Sequence, residues 1–226
     1  MSWPGLSWVH SHTDGDRWSD LDLTFAVADH ASLTEVLEDW TRFLVQDFDA
    51  VHLFDLPSGA SIYRVFLLAG CLQFDLSFTP ASQFGSTGPK FRLLFGHAVE
   101  KPHIEPPPAA ELFGYAVHHA LRARFCIERG RLWQAEYWIS GVRDHALALA
   151  CRRRGLPSYH GRGFDELPSD VQDAFQSSLV RSLDRRELLR ALDRTIERLL
   201  AETGEVEMFA AKVAPQLREL ARLWDA

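Results

Sequence analysis

The sequence predicts an α+β protein, a small mixed sheet followed by a C-terminal antiparallel helical bundle. Three observations lead there. The first hundred residues carry several β-rich runs interrupted by one helical pattern; a stretch rich in glycine and proline then breaks the pattern; and everything beyond about residue 108 shows the apolar spacing of helices. Two domains are therefore expected, an α/β domain over residues 1–104 and a helical bundle over 105–226.

In the first domain, Asp20 to Ala28 alternates before becoming wholly apolar, as a strand entering a core does. Ser32-Leu-Thr-Glu35 is a capping box, and Val36, Leu37, Trp40, Phe43 and Leu44 fall on one stripe of the helix it opens. Ala50 to Leu56 and Ser61 to Ala69 are rich in β-formers, with Pro57-Ser-Gly-Ala60 between them as a hairpin turn. Leu72 to Phe78 reads Leu-Gln-Phe-Asp-Leu-Ser-Phe, a fourth strand. From Thr79 to Pro108 only Phe91 to Phe95 looks regular, among Gly85, Gly88, Pro89, Pro102 and the run Pro106-Pro107-Pro108.

In the second domain, Ala109 to Arg129 and Leu132 to Arg154 are long apolar-striped helices separated by Gly130, and Gly155-Leu-Pro157 is a stop signal. Ser169-Asp-Val-Gln172 reads as a capping box opening a helix to about Ser182. Asp184 to Glu202 and Glu207 to Trp224 complete the bundle.

Composition narrows the function classes. With 226 residues, 46% hydrophobic and 24% charged, the chain fills one large core or two small ones, which excludes disorder. A net charge of -7 argues against a broad basic surface for duplex nucleic acid, while leaving room for a local phosphate pocket. Cys71, Cys126 and Cys151 are three cysteines in apolar stretches, expected as reduced, buried thiols of a cytoplasmic protein. The N-terminus lacks a basic start and an apolar h-region, and no run approaches the ~18 apolar residues of a membrane span, so no membrane partner is expected.

The sharpest chemical feature is Asp20-Leu21-Asp22-Leu23. On a strand of period two, both carboxylates leave from one face and both leucines from the other. Like charges so placed cost stability unless a divalent cation such as Mg²⁺ sits between them; the alternative is a solvated strand end. Asp75, flanked by Phe74 and Leu76 in a core-like strand, is expensive without a cation, or without an arginine such as Arg64 or Arg92. If its strand runs beside the Asp20 strand, Asp20, Asp22 and Asp75 form a three-carboxylate cluster able to hold two metals roughly 4 Å apart for phosphoryl chemistry.

Ser19-Asp20-Leu21-Asp22-Leu23, preceded by the polar Asp14-Gly-Asp-Arg-Trp18 loop and followed by the acid of Phe74-Asp75-Leu76, resembles the nucleotidyltransferase superfamily of DNA polymerase β type, in particular its small bacterial aminoglycoside and lincosamide members. The resemblance implies a sheet carrying the acids and a helical domain supplying part of the substrate pocket. It also implies transfer of a nucleoside monophosphate from Mg·ATP to a hydroxyl with release of pyrophosphate. Asp20, Asp22 and Asp75 would hold the metal, and Ser19 and Arg17 would lie where the nucleotide phosphates bind. A carboxylate of the helical half often serves as general base in this family; Glu136, within Trp133-Gln-Ala-Glu-Tyr-Trp138, is chosen over Glu128 and Asp144, the alternative being a surface acid paired with Arg129, Arg131 or Arg143.

The family also places a Gly-Ser pair about ten residues before the first acid, to hold the terminal phosphates. Here that position reads Trp8-Val9-His10-Ser11, with Gly5-Leu6 at the far edge of the spacing, and no helix or strand is expected ahead of it, so the first domain reads as N-terminally incomplete. The expected function is a metal-dependent nucleotidyltransferase acting on a small hydroxylated molecule such as an aminoglycoside-like antibiotic, with ATP and Mg²⁺ as co-reactants and homo-oligomerisation allowed. The alternative is a non-catalytic remnant of the fold, a nucleotide-binding or antitoxin-like protein-interaction module.

Other groups are given structural roles. His10, His12 and Asp14 belong to a mobile N-terminal tail rather than a zinc site; His118, His119 and His145 are bundle histidines; Arg152-Arg153-Arg154 is a solvated helix end. Of Trp133, Tyr137 and Trp138, at least two are expected to pack between helices.

Overall fold

In the computed structural model, residues 8–10, 18–86, 91–101 and 106–222 are described, and the chain divides into two compact units, Met1–Ile104 and Glu105–Ala226. Arg17, His12 and Asp14 lie outside the described residues.

The first unit is a six-stranded mixed sheet in the order β3-β4-β5-β2-β1-β6. Its strands are β1 (Trp8–His10), β2 (Leu21–Val27), β3 (Val51–Ser58), β4 (Ser61–Leu68), β5 (Leu72–Pro80) and β6 (Arg92–Phe95). Only β2 and β5 run parallel; the neighbouring pairs are antiparallel. Helix α1 (Leu33–Phe48) links β2 to β3, and Ser32 caps it by accepting from the Glu35 backbone N–H at 3.3 Å. Its apolar stripe closes one face of the sheet: Leu37 and Leu44 are buried with Phe25, Phe66, Phe74, Leu76 and Phe78. Trp40 lies with its ring centroid 4.8 Å from that of Phe25. Each of these buried side chains contributes about 1.5–3 kcal/mol of transfer free energy, so this face of the sheet is committed to the helix. The alternate residues of β2 and β5 leave from the opposite face.

One expectation is corrected here. His10 does not belong to a tail, because Trp8–His10 forms a strand that pairs antiparallel with β2, Trp8 opposite Phe25 and His10 opposite Leu23. The run Trp-Val-His is too short to announce itself by periodicity, and its strand character comes from the edge that β2 offers.

The second unit is helical: α2 (Ala109–Glu128), α3 (Leu132–Arg152), α4 (Ser169–Gln176), α5 (Arg185–Ala201) and α6 (Glu207–Ala221). Alanines line the contact of α2 with α3, with Ala116, Ala120 and Ala123 at helical spacing facing Ala135, Ile139, Val142 and Ala146, all fully buried. Gly130, at φ +66, ends α2: its N–H donates to Ile127 O and that of Arg131 to Cys126 O, a pairing that only a left-handed residue closes without strain.

The second capping box does not form. Pro168 occupies the N-cap position, its carbonyl accepts from Val171 and Gln172, and the Gln172 side chain turns away to the carbonyls of Asp165 and Leu167. Helix α4 also stops at Gln176 rather than near Ser182, where the Ser177 and Ser178 hydroxyls donate back to Ala174 O and Phe175 O. No helix among the described residues is long and apolar enough to cross a membrane. All three cysteines are free; Cys126 and Cys151 are buried as expected, but Cys71 is exposed, because it turns the corner between β4 and β5 at φ +61.

Candidate functional site

Parallel pairing of β2 with β5 places Asp22 directly opposite Asp75, Leu23 opposite Leu76 and Thr24 opposite Ser77. Since Leu23 and Leu76 pack toward α1, the residues on either side of them share the opposite face. Asp20 joins them one pleat earlier, and one carboxylate oxygen from each of Asp20, Asp22 and Asp75 lies within 4.8 Å of the others. All three are half-buried.

Arg64 is one of the two arginines expected as an alternative partner for Asp75, and the structure sends it elsewhere. It projects from the α1 face, where it makes a two-pronged ion pair with Asp55 (2.6 Å at both contacts) and donates to Thr41 Oγ1 at 2.8 Å. Asp75 instead accepts from a neutral amide, Gln73 Nε2, at 3.0 and 3.1 Å. Burial raises the Asp75 carboxyl above its ordinary value; the Gln73 hydrogen bond works against that rise, and the charges of Asp22 and Asp20 add to it. Hard oxygen donors around shared negative charge are the donor set of a divalent cation such as Mg²⁺ or Ca²⁺.

The face continues as a hydroxyl ladder. Ser77 Oγ donates to Thr24 Oγ1 at 2.7 Å, and the Ser61 and Thr79 hydroxyls lie 2.7 Å apart. Tyr63, opposite Ser77, stays protonated: burial raises its phenol, the Ser77 hydroxyl opposes that, and the Asp22 charge adds to it. A pocket of about 100 Å³ opens beside these groups, lined among others by Thr24, Ser61, Tyr63, Thr79 and Lys101. Gly85 closes one wall, where a Cβ would fall 2.0 Å from Val99 O. Ser19 is half-buried just ahead of Asp20.

In the helical unit, Glu136 is half-buried on α3; its Oε1 accepts from Ser140 Oγ at 2.7 Å, and Arg143 donates to that hydroxyl at 3.0 Å. Glu128 is taken by Arg124 and Arg185 at 2.6 and 2.8 Å. His119 and His145 lie with ring centroids 5.0 Å apart, and His145 stacks on Tyr115. The three-arginine helix end is exposed at Arg153 and Arg154 and carries ion pairs: Arg152 with Glu205, and Arg153 and Arg154 with Glu202. Of the three aromatics on α3, only Trp138 packs on the core, while Trp133 and Tyr137 are exposed.

No protein-family model matches the sequence, and no curated protein matches it. Among solved structures, an aminoglycoside 6-adenyltransferase from Bacillus subtilis is similar at 12% sequence identity, over 96% of this chain and 92% of that one, with a TM-score of 0.44. At that score the likeness carries no weight for function, and the side chains on the sheet have to carry it.

Sequence reasoning found the three acids and missed Gln73, Tyr63, the hydroxyl ladder and Lys101. The signal was present in β5, where Gln73, Asp75, Ser77 and Thr79 alternate with Phe74, Leu76 and Phe78 as one polar face. Tyr63 and Lys101 carried no such signal, since they join the face through β4 and a loop.

Proposed function

We propose that the chain is a metal-dependent nucleotidyltransferase that moves a nucleoside monophosphate from ATP to a hydroxyl of a small molecule. The observation that carries this reading is the register match of Asp22 with Asp75 on parallel strands, with Asp20 completing the oxygen set within 4.8 Å. That arrangement suits phosphoryl transfer, in which positioning and electrostatic stabilisation do nearly all the work.

Asp20, Asp22 and Asp75 would hold Mg²⁺, and a bound divalent cation supplies Lewis-acid polarisation of phosphoryl oxygens. Ser19 and Arg17 would hold nucleotide phosphates ahead of the acids. Tyr63, kept protonated, offers its O–H to an oxygen in the adjoining pocket, and Lys101 offers a cation there. Glu136 is the base we assign to the acceptor hydroxyl: Ser140 occupies Oε1, and a carboxylate so held accepts a proton at Oε2. An aminoglycoside-like acceptor accords with the net charge of -7.

A second reading, a nucleotide-binding module without catalysis, is favoured by one observation. Strand β1 ends at His10, where the resemblance calls for a glycine that lets backbone approach phosphate. Incubation with ATP, Mg²⁺ and a panel of hydroxylated acceptors, followed by pyrophosphate release and product mass, separates the two. The enzyme reading predicts acceptor-dependent pyrophosphate that falls at least about a hundredfold in Asp22→Asn; binding of an ATP analogue without any transfer supports the module instead.

A further inference from the structure

The sheet ends, on the side away from β6, in a strand built for another strand. Among the described residues β3 is hydrogen-bonded on one side only, to β4, and all eight of its residues are exposed. Val51, Leu53, Phe54 and Leu56 are each about half exposed (49–56%). Leu67 of β4, opposite Val51 and 40% exposed, extends the apolar patch. Proteins that stay single protect such edges with lysines or by covering them, whereas the stretch Val51 to Leu56 carries no lysine or arginine.

We infer that β3 is the surface through which two copies of this chain pair, antiparallel and edge to edge, into a twofold dimer with one continuous sheet. The partner follows from the strand's own sequence. Val51-His52-Leu53-Phe54-Asp55-Leu56 is complementary to itself when turned end for end. Centred between Leu53 and Phe54, the pairing sets Val51 against the second copy's Leu56, His52 against its Asp55 and Leu53 against its Phe54. Apolar meets apolar, and the His52–Asp55 pair of one strand, 3.0 Å apart, lies against the same pair of the other.

The faces agree as well. Val51 pairs with Leu67 and Leu56 with Tyr63, so both lie on the face that carries the acids; His52 pairs with Phe66 and Asp55 with Arg64, so both lie on the α1 face. The bulge between His52 and Phe54 makes this possible, because it shifts the alternation by one residue midway along the strand. A twofold axis normal to the sheet keeps each face on its own side, as an isologous interface requires. Directly opposed side chains on one face sit about 4.5–5.5 Å apart at Cβ, close enough for both kinds of pair to interact. Pro57, which has no N–H to give, falls just outside the paired stretch.

This inference goes beyond the proposed chemistry, which needs the acids of one chain only, so either can fail alone. Sedimentation velocity from about 1 to 100 µM tests it first. The expected result is a mass rising from 25.7 kDa towards twice that value. A Leu53→Lys, Phe54→Lys double variant should remain at the monomer mass with an unchanged circular dichroism spectrum. For position, Val51→Cys and Leu56→Cys are combined in a Cys71→Ser background and oxidised. The pair should form a cross-linked dimer, and Val51→Cys alone should not, since its equivalent in the second copy is five residues away along the strand. A wild-type chain that stays at 25.7 kDa at 100 µM overturns the proposal, as does a lysine variant that still dimerises or a single-cysteine variant that cross-links as well as the pair.

Discussion

Asp22 and Asp75 face each other across two parallel strands, and Asp75 takes a neutral amide from Gln73 where an arginine would have balanced its charge. Arg64, on the neighbouring strand, is turned away from Asp75 by its ion pair with Asp55. Burial and the charges of Asp22 and Asp20 disfavour the ionised Asp75 carboxyl in the folded chain, a cost that a divalent cation bound there would offset.

That cost is measurable. Asp75→Asn removes one of three crowded charges and retains an acceptor for Gln73, so the metal-free variant should melt about 2–4 °C above the parent, corresponding to roughly 1 kcal/mol. Millimolar Mg²⁺ or Mn²⁺ should raise the melting temperature of the parent and leave that of the variant unmoved. Equal cation shifts in the two proteins would place the bound cation elsewhere.

Acid stability should report on the histidine pair of the bundle. Burial holds His145 down to about 4, the nearby His119 adding to the effect, against about 6.5 in the unfolded chain. Between those values the unfolded chain takes up a proton that the folded one refuses, so stability is whole above the unfolded value and drains away as pH falls, by about 1–2 kcal/mol once solvent screening of the half-buried ring is allowed for. Urea unfolding at pH 7, 6, 5 and 4.5 measures it. His145→Phe, which retains the ring stacked on Tyr115, should flatten the slope across that range.

Gly141 exposes a competition between helix propensity and packing. Alanine in a helix interior gains about 1 kcal/mol over glycine, yet a Cβ here would stand 2.6 Å from His119 Nδ1. The ring is confined between Trp138 and His145, so the clash should win and Gly141→Ala should destabilise by about 1–2 kcal/mol. Adding His119→Ala to that variant should reverse the sign, which a double-mutant cycle by denaturant unfolding detects.

Arg124 is the buried cation that fastens α6. Its guanidinium meets Glu128 at 2.6 Å and donates to the carbonyls of Leu220 and Arg222 at 2.8 and 2.7 Å. Arg124→Met conserves most of the volume but strands two carbonyls, an expected loss of about 2–3 kcal/mol. Hydrogen exchange should then quicken at the C-terminal end of α6 before anywhere else in the bundle.

The strands, the helices and the three acids were legible in the sequence wherever a pattern ran long enough to repeat. Leu72 to Phe78 shows why: its strict alternation gives both the buried face and the placement of Asp75. Features set by distant partners were not legible. Trp8–His10 becomes a strand only because β2 has a free edge, and Pro168 displaces the serine that resembled a cap. Arg64 chose Asp55 over Asp75 because the β3–β4 register, unknown from sequence, puts those two on one face.

The central claim is that Asp20, Asp22 and Asp75 hold a divalent cation that in turn holds a nucleotide. Calorimetric titration with a non-hydrolysable ATP analogue, with and without Mg²⁺, on the parent and on an Asp20→Asn, Asp22→Asn double variant tests it most directly. The account predicts binding that requires the cation and disappears in the variant. Binding that survives both changes, or none by the parent at millimolar ligand, would contradict it.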